Sequence, residues 1–369
     1  MSSSQIEIQL IAMVVAGACA VPGVFLVLRK MALLSDAISH AILLGIVLGF
    51  FLVKDLASPV LVVGAALTGV LTVSLVELLN RTRLVKADAA IGLVFPVLFS
   101  IGVILISRYA GNIHLDTDSV LLGELAFAPF SRFDLGGTDL GPKSLWVMSG
   151  ILVINLLFVS LLYKELKLAT FDPGLAAALG FSPVLIHYAL MTLVSVTAVG
   201  AFEAVGSILV VALMIAPPAT AYLLTNRLNW MILLAVLFGM LSAISGYWIA
   251  HLLDASIAGS MATMAGVVFG IVFLLAPDRG LLAQARRRMN QRWEFAQAML
   301  TIHLYQHEDL PEADFESSYD HLGKHMRWTD DFAGTVVAKA QRRNLINRED
   351  DLLHLTEQGR KLARETLVR

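Results

Sequence analysis

Charged residues are scarce in this chain: Asp, Glu, Lys and Arg make up 15% of its 369 residues, while 57% are apolar. Soluble domains run near 45–50% apolar with about a quarter charged. That imbalance excludes an ordinary soluble enzyme. Cysteine is scarcer still, and the single Cys19 lies inside the first apolar run, so no disulfide framework exists and no compartment can be read from it. With a formal net charge of −2, a global attraction to nucleic acid is also excluded. No G-x-x-x-x-G-K-[ST] phosphate loop occurs, so the chain is not expected to hydrolyse ATP itself. Nor does the spacing offer a nucleophile triad or a Cys/His zinc cluster. Neither Lys nor Arg precedes the first apolar run, which is too long for a cleaved signal peptide and reads as a retained span.

What the chain has in abundance is apolar runs of about 20 residues, the length a helix needs to cross a hydrocarbon core. They fall at 6–28, 35–53, 58–79, 89–107, 145–163, 184–202, 205–225, 230–250 and 256–276. The gap between the sixth and seventh is short, which leaves eight or nine crossings open. The expected fold is an all-α polytopic membrane protein. Lys and Arg collect in cytoplasmic loops. With the N-terminus outside, inner loops hold Arg29, Lys30, Arg81, Arg83, Lys86, Lys164, Lys167, Arg227 and Arg279, against Lys54, Arg108, Arg132 and Lys143 outside. Nine against four favours that orientation. The outer segment 109–144 contains an amphipathic stretch, 119–130, open to a re-entrant reading, and His114, Asp116, Asp118 and Glu124, which suit either a cation-attracting vestibule or a solvated loop.

After Pro277 the composition changes abruptly, dividing a membrane domain (1–282) from a polar domain (283–369) that the orientation places in the cytoplasm. Residues 284–307 alternate charge with apolar side chains at helical spacing (Trp293, Ala296, Leu300, Leu304). A second helix is expected over 315–326 and a third over 330–343, with Thr329 as N-cap, acidic residues in its first turn and basic ones in its last. Residues 345–355 read as two short strands around a polar turn, and a closing helix starts at Thr356. Three helices, a hairpin and a helix make an α+β winged-helix pattern.

Ionisable groups at membrane depth cost at least a few kcal/mol each, which makes function the default reading. In Ser35-Asp36-Ala37-Ile38-Ser39-His40-Ala41, Asp36 and His40 stand at i and i+4 on one helical face. Carboxylate and imidazole so placed either contribute to a divalent first-row metal site or fasten two helices. Two ligands are too few for a closed site, and a symmetric dimer would supply four. Glu203 either faces the same pathway as a further ligand or reaches the outer interface at a short turn. His187 and His251, near span ends, read as interfacial residues with polar tips. In the run 163–180, Asp172 is the expected N-cap and Pro173 the first position of a short small-residue helix that includes Ala177 and is closed by Gly180. Such a helix suits docking into a groove of another protein, or is a capped loop. Residues 206–221 combine small side chains with Pro217-Pro218, which permits close packing and a bend.

Residues 26–41, the segment Tyr163-Lys164-Glu165-Leu166 with Phe171-Asp172-Pro173, residues 205–213 through Pro217-Pro218-Ala219-Thr220-Ala221, and the closing 273–282 resemble the permease subunits of bacterial zinc/manganese/iron ABC importers, in the right order over 6–282. The resemblance implies that Asp36 and His40 coordinate the metal in transit. It further implies no permanently bound cofactor, cytoplasmic ATPase subunits docking at Asp172, Pro173, Ala177 and Gly180, an extracytoplasmic metal-binding protein, a second permease subunit, and the bacterial inner membrane. Mn²⁺ is the first expectation for the cargo, with Zn²⁺ or Fe²⁺ close behind. Leu44 replaces a Pro that many members carry, and Glu203 stands where many have an uncharged residue, often Gln. The tail, notably 355–363, resembles the winged-helix domain of diphtheria-toxin-repressor-type metalloregulators. Its third helix mixes Lys339, Arg342 and Arg343 with Asp330 and Asp331, so docking or sensing is expected there and nucleic acid is not an expected partner. Rival readings are an ion-coupled secondary transporter and a membrane-tethered transcription regulator.

Overall fold

The computed structural model describes residues 3–55, 58–109, 125–135 and 138–367. The proposed vestibule residues His114, Asp116, Asp118 and Glu124 lie outside the described residues, as does 119–124 of the amphipathic stretch; 125–130 form a turn and a single 3-10 turn. By contact the chain divides into two compact units, Met1–Gly280 and Leu281–Arg369.

The first unit is a helical bundle. Its elements are α1 (Ser3–Leu28), α2 (Leu33–Val53), α3 (Pro59–Arg81), α4 (Ala87–Tyr109), a short antiparallel hairpin β1 (Arg132–Leu135) and β2 (Thr138–Pro142), α5 (Lys143–Leu161), α6 (Tyr163–Phe171), α7 (Pro173–Ala178), α8 (Pro183–Val205), α9 (Ser207–Leu224), α10 (Leu228–Leu253) and α11 (Ile257–Leu275). Among the described residues nine helices are long and apolar enough to cross a membrane. The short gap in sequence proves to be one residue, Gly206, whose φ of 79° turns the chain directly from α8 into α9. Only glycine adopts that conformation without strain.

Helix α1 runs through the middle of this unit, with Ile11, Val15, Cys19, Val24 and Phe25 fully buried, and packs against α5, α8, α9 and α10. A second group, α2 with α3 and α4, packs through small residues. A Cβ on Gly45 would collide with the carbonyl oxygen of Gly64, and one on Gly64 with that of Gly45. Where lipid removes the hydrophobic incentive for helices to associate, such backbone proximity supplies dispersion contact instead. Buried hydroxyls turn inward to their own helices: Ser39 donates to the carbonyl of Ser35 (2.9 Å) and Thr72 to that of Thr68 (2.8 Å). The fully buried Asn155 donates to Ala18 O (2.8 Å) and to Thr197 Oγ1 (3.0 Å), pinning α5 to α1 and α8. The outward faces of α5 and α11 carry Ile154, Leu157, Ile271 and Leu275 exposed, the surface a lipid-bathed bundle presents.

The second unit comprises α12 (Leu281–His307), α13 (Ala313–Glu316), α14 (Tyr319–His325), α15 (Asp330–Arg342), the antiparallel hairpin β3 (Ile346–Glu349) and β4 (Leu352–Leu355), and α16 (Glu357–Leu367). Leu300, Leu304, Val336, Val337, Ala340, Ile346 and Leu353 form its core. Two local expectations are corrected. The helix expected over 315–326 is broken at Ser317 and Ser318, because their backbone pairs with the hairpin: Leu353 N donates to Ser317 O (3.0 Å) and Ser318 bridges to Leu352. Thr329 precedes α15 in extended conformation, but its side chain makes no capping bond.

Candidate metal-binding site in the membrane unit

Asp36 sits in the first turn of α2, where the partial positive charge of a helix start favours a carboxylate. One turn on, His40 Nε2 lies 3.4 Å from Asp36 Oδ1. The shared face read from the i, i+4 spacing is therefore present. The imidazole is held from the other side by α4: Phe95 stacks on it at 5.8 Å between centroids and Phe99 meets it edge-on at 6.0 Å. These two aromatic residues were not singled out in the sequence, although their own i, i+4 spacing inside an apolar span put them on one helical face. The side chains of His40 and Asp36 remain 30% and 42% exposed. A carboxylate oxygen and an imidazole nitrogen held together on one helix are donors of the kind that first-row divalent metals accept. Without the proline expected by resemblance at Leu44, α2 runs unbroken from Leu33 to Val53.

Glu203 is not part of this arrangement. It stands near the end of α8, is 60% exposed, and pairs with Lys143 at the start of α5 (3.3 Å). Asp36 lies at the start of α2, at the bundle end where the start of α8 meets the ends of α1 and α3. Along α8, Glu203 and His187 stand at opposite ends of the helix, so Glu203 lies away from the Asp36–His40 pair.

His187 departs from the interfacial reading. Its Nε2 lies 3.2 Å from Glu77 Oε2 and its Nδ1 3.2 Å from Arg29 Nη1. A guanidinium can only donate, so Nδ1 accepts and Nε2 carries the proton, close to the carboxylate but not aligned in a hydrogen bond with it. Glu77 is also gripped by Arg81 through Nε (3.1 Å) and Nη2 (2.7 Å), and Arg29 Nε donates to Thr170 (3.2 Å). Burial holds the Arg29 guanidinium below its usual pKa. This network joins the α1–α2 turn, α3, α6 and α8 at one end of the bundle. His251, by contrast, is exposed beside Tyr247 and Trp248, as an interfacial histidine would be.

At the same end, Asp172 caps α7 by accepting from Leu175 N (2.9 Å), with Pro173 at the first position. The helix closes in a Schellman arrangement, Phe181 N to Ala176 O (3.1 Å) and Gly180 N to Ala177 O (3.0 Å), with Gly180 at φ 88°. Ala177 is exposed, and Phe171, Leu175 and Leu179 stand exposed at i, i+4 and i+8. A six-residue helix capped at both ends holds its shape, with Leu175 and the C-cap Leu179 exposed.

The model of the ABC 3 transport family matches residues 5–276. The chain belongs to that family. It is 49% identical over 361 residues to the zinc transport system membrane protein TroD of Treponema pallidum (strain Nichols), covering 98% of each chain. It is 48% identical over 278 residues to the manganese transport system membrane protein MntD of Bacillus subtilis (strain 168), covering 75% of this chain and 94% of that protein. The alignment with this second family member is about as long as the membrane unit, whereas the one with TroD takes in the tail. Among solved structures, PsaBC from Streptococcus pneumoniae in complex with Fab is similar at a TM-score of 0.63 and 31% identity, covering 76% of this chain and 94% of that chain.

Proposed function

We propose that this chain is the membrane-spanning permease subunit of an ATP-binding-cassette importer that carries a divalent transition metal into the cytoplasm. The observation that carries this reading is the Asp36–His40 pair on one face of α2, in a chain whose relatives include a zinc and a manganese transport system membrane protein. Mn²⁺ remains the first candidate and Zn²⁺ the second, because oxygen and imidazole donors accept both. The pair is open on one side, and a second permease subunit presenting an equivalent pair would complete a four-ligand site. Metal would arrive from an extracytoplasmic binding protein and leave inward as cytoplasmic ATPase subunits press on α7, so ATP is hydrolysed on those partners. The N-terminus lies outside, and the tail is a cytoplasmic winged-helix-like module that docks or senses. The test is uptake of radioactive Mn²⁺ and Zn²⁺ by cells producing the chain with its partner subunits. Uptake that persists without the ATPase would move the reading to an ion-coupled transporter.

A further inference from the structure

The spacing of Cys and His gives no zinc-cluster motif in the tail, yet the fold brings distant histidines together. Two histidine pairs at i, i+4, His303 with His307 on α12 and His321 with His325 on α14, converge on one carboxylate, Glu316, at the end of α13. The ligand atoms of His303, His307 and Glu316 lie within 4.8 Å of one another, as do those of Glu316, His321 and His325. The imidazole rings crowd together, with centroids 4.6 Å apart for His303 and His307, 5.1 Å for His303 and His325, and 5.5 Å for His321 and His325. Each pair looked like ordinary polar decoration of a helix. Only the turn back from α12 to α14 brings them face to face.

Hydrogen bonding alone leaves this cluster incompletely satisfied. Glu316 Oε2 and His321 Nε2 are buried and 3.2 Å apart, yet neither is aligned in a hydrogen bond. A buried carboxylate oxygen without a donor is destabilising unless something positive meets it. His303 Nε2 lies 3.4 Å from the same oxygen and 3.2 Å from the backbone carbonyl oxygen of Glu316, which can only accept, so that nitrogen carries the proton and the His303 lone pair resides on Nδ1. The ring of His307 is already oriented as ligating imidazoles are: its Nδ1 lies 2.9 Å from the carbonyl oxygen of His303, which can only accept, so the lone pair resides on Nε2. Burial grades from His303, 6% exposed, through Glu316 at 14% and His321 at 24%, to the exposed His325. That gradient gives an ion a buried anchor and an open entrance.

We propose that His303, His307, Glu316, His321 and His325 form a binding site for one divalent transition metal ion in the tail, separate from the transport site. Because both triads share Glu316, they describe one ion that takes three or four of the five donors. Ligands bound tetrahedrally at about 2.0–2.1 Å stand about 3.4 Å apart, so donor atoms now up to 4.8 Å apart close by up to about 1.4 Å on binding, within reach of side-chain rotation. Four imidazoles to one carboxylate select Zn²⁺ over Mn²⁺, whose preference is for oxygen. Occupancy ties α12, α13 and α14 together and stiffens the tail.

The site does not depend on the importer reading, and its test separates the two. The full chain with Asp36→Ala and His40→Ala, purified in detergent, removes the membrane pair while keeping the tail. Equilibrium dialysis against radioactive Zn²⁺ is expected to give one ion bound per chain in this background, and X-ray absorption of the bound zinc to give imidazole nitrogen at about 2.0–2.1 Å. Adding Glu316→Gln, His307→Asn or His325→Asn is expected to weaken binding at least about tenfold. The last two replace partly or fully exposed side chains, so the core stays filled. Absence of stoichiometric Zn²⁺ in the Asp36/His40 background overturns the proposal, and so does unchanged affinity in Glu316→Gln and His325→Asn.

Discussion

His40 Nε2 stands 3.4 Å from Asp36 Oδ1 across one turn of α2, with the far side of the imidazole closed by Phe95 and Phe99. The ring cannot turn away from the carboxylate without unstacking, so both donors face the same open side. Replacing either removes a ligand from a site that has only two per chain. Asp36→Ala and His40→Ala are each expected to lower uptake of radioactive Mn²⁺ and Zn²⁺ by about tenfold or more, on the scale of losing a metal-site group. Asp36→Asn, which keeps the shape and removes the charge, should behave like Asp36→Ala. Membrane insertion is checked by fractionation, and near-wild-type uptake in both alanine variants would refute the assignment.

The exposed Leu175, Ala177 and Leu179 on the capped α7 and its C-cap lead to a prediction about assembly. In a Cys19→Ala background, Ala177→Cys is expected to cross-link to the ATPase subunit and to resist impermeant thiol reagents added outside intact cells. Leu175→Glu should leave the permease in the membrane, since the side chain is exposed, but abolish co-purification of the ATPase. Labelling of Ala177→Cys from outside would reverse the proposed orientation.

Gly45 and Gly64 bring α2 and α3 together backbone to backbone. A larger side chain at Gly45 meets a carbonyl that belongs to a helix and cannot swing aside. Gly45→Leu is therefore expected to destabilise the membrane unit by about 1–3 kcal/mol or more and, because α2 also carries Asp36 and His40, to lose uptake along with stability. Thermal unfolding in detergent measures the first effect. Gly92 has open space where its Cβ would go, so Gly92→Ala serves as the neutral comparison.

How much of this was legible in the sequence differs by scale. The nine long helices match the apolar runs to within a few residues, because length and hydropathy are what a membrane selects and both are local. The capped helix after Asp172 was legible for the same reason: Asp, Pro and Gly act on their own neighbours. Failures arose where distant segments meet. Ser317 and Ser318 leave the helix to pair with a strand more than thirty residues away. His187 finds Arg29 and Glu77 only through folding. Glu203 finds Lys143, sixty residues earlier in the chain, only through folding. The tail histidines went unremarked because neither i, i+4 pair is unusual alone.

Helix α15 of the tail and its C-cap Arg343 carry the charges that a DNA-reading role would need, and two of them, Lys339 and Arg343, already have partners within the tail. Lys339 Nζ sits 4.2 Å above the Trp293 ring, and Arg343 reaches Glu294 (3.5 Å) and Gln297 (3.4 Å) on α12. At the other end of the helix, Asp330 and Asp331 occupy the first turn, where a phosphate would otherwise be favoured. Affinity for DNA grows with the number of phosphates neutralised, and non-specific binding typically gives a Kd of about 10⁻⁴–10⁻⁶ M. The full chain in lipid nanodiscs is expected to bind duplex DNA no more tightly than that range, with a shallow salt dependence. Removing residues 281–369 should leave a membrane unit that still inserts, in keeping with its match to a relative of about that length, but with altered uptake or altered response of uptake to added metal. A salt-dependent DNA titration and an uptake assay on the truncated chain decide the matter. Tight, sequence-specific binding combined with unchanged uptake would assign the tail to transcription instead.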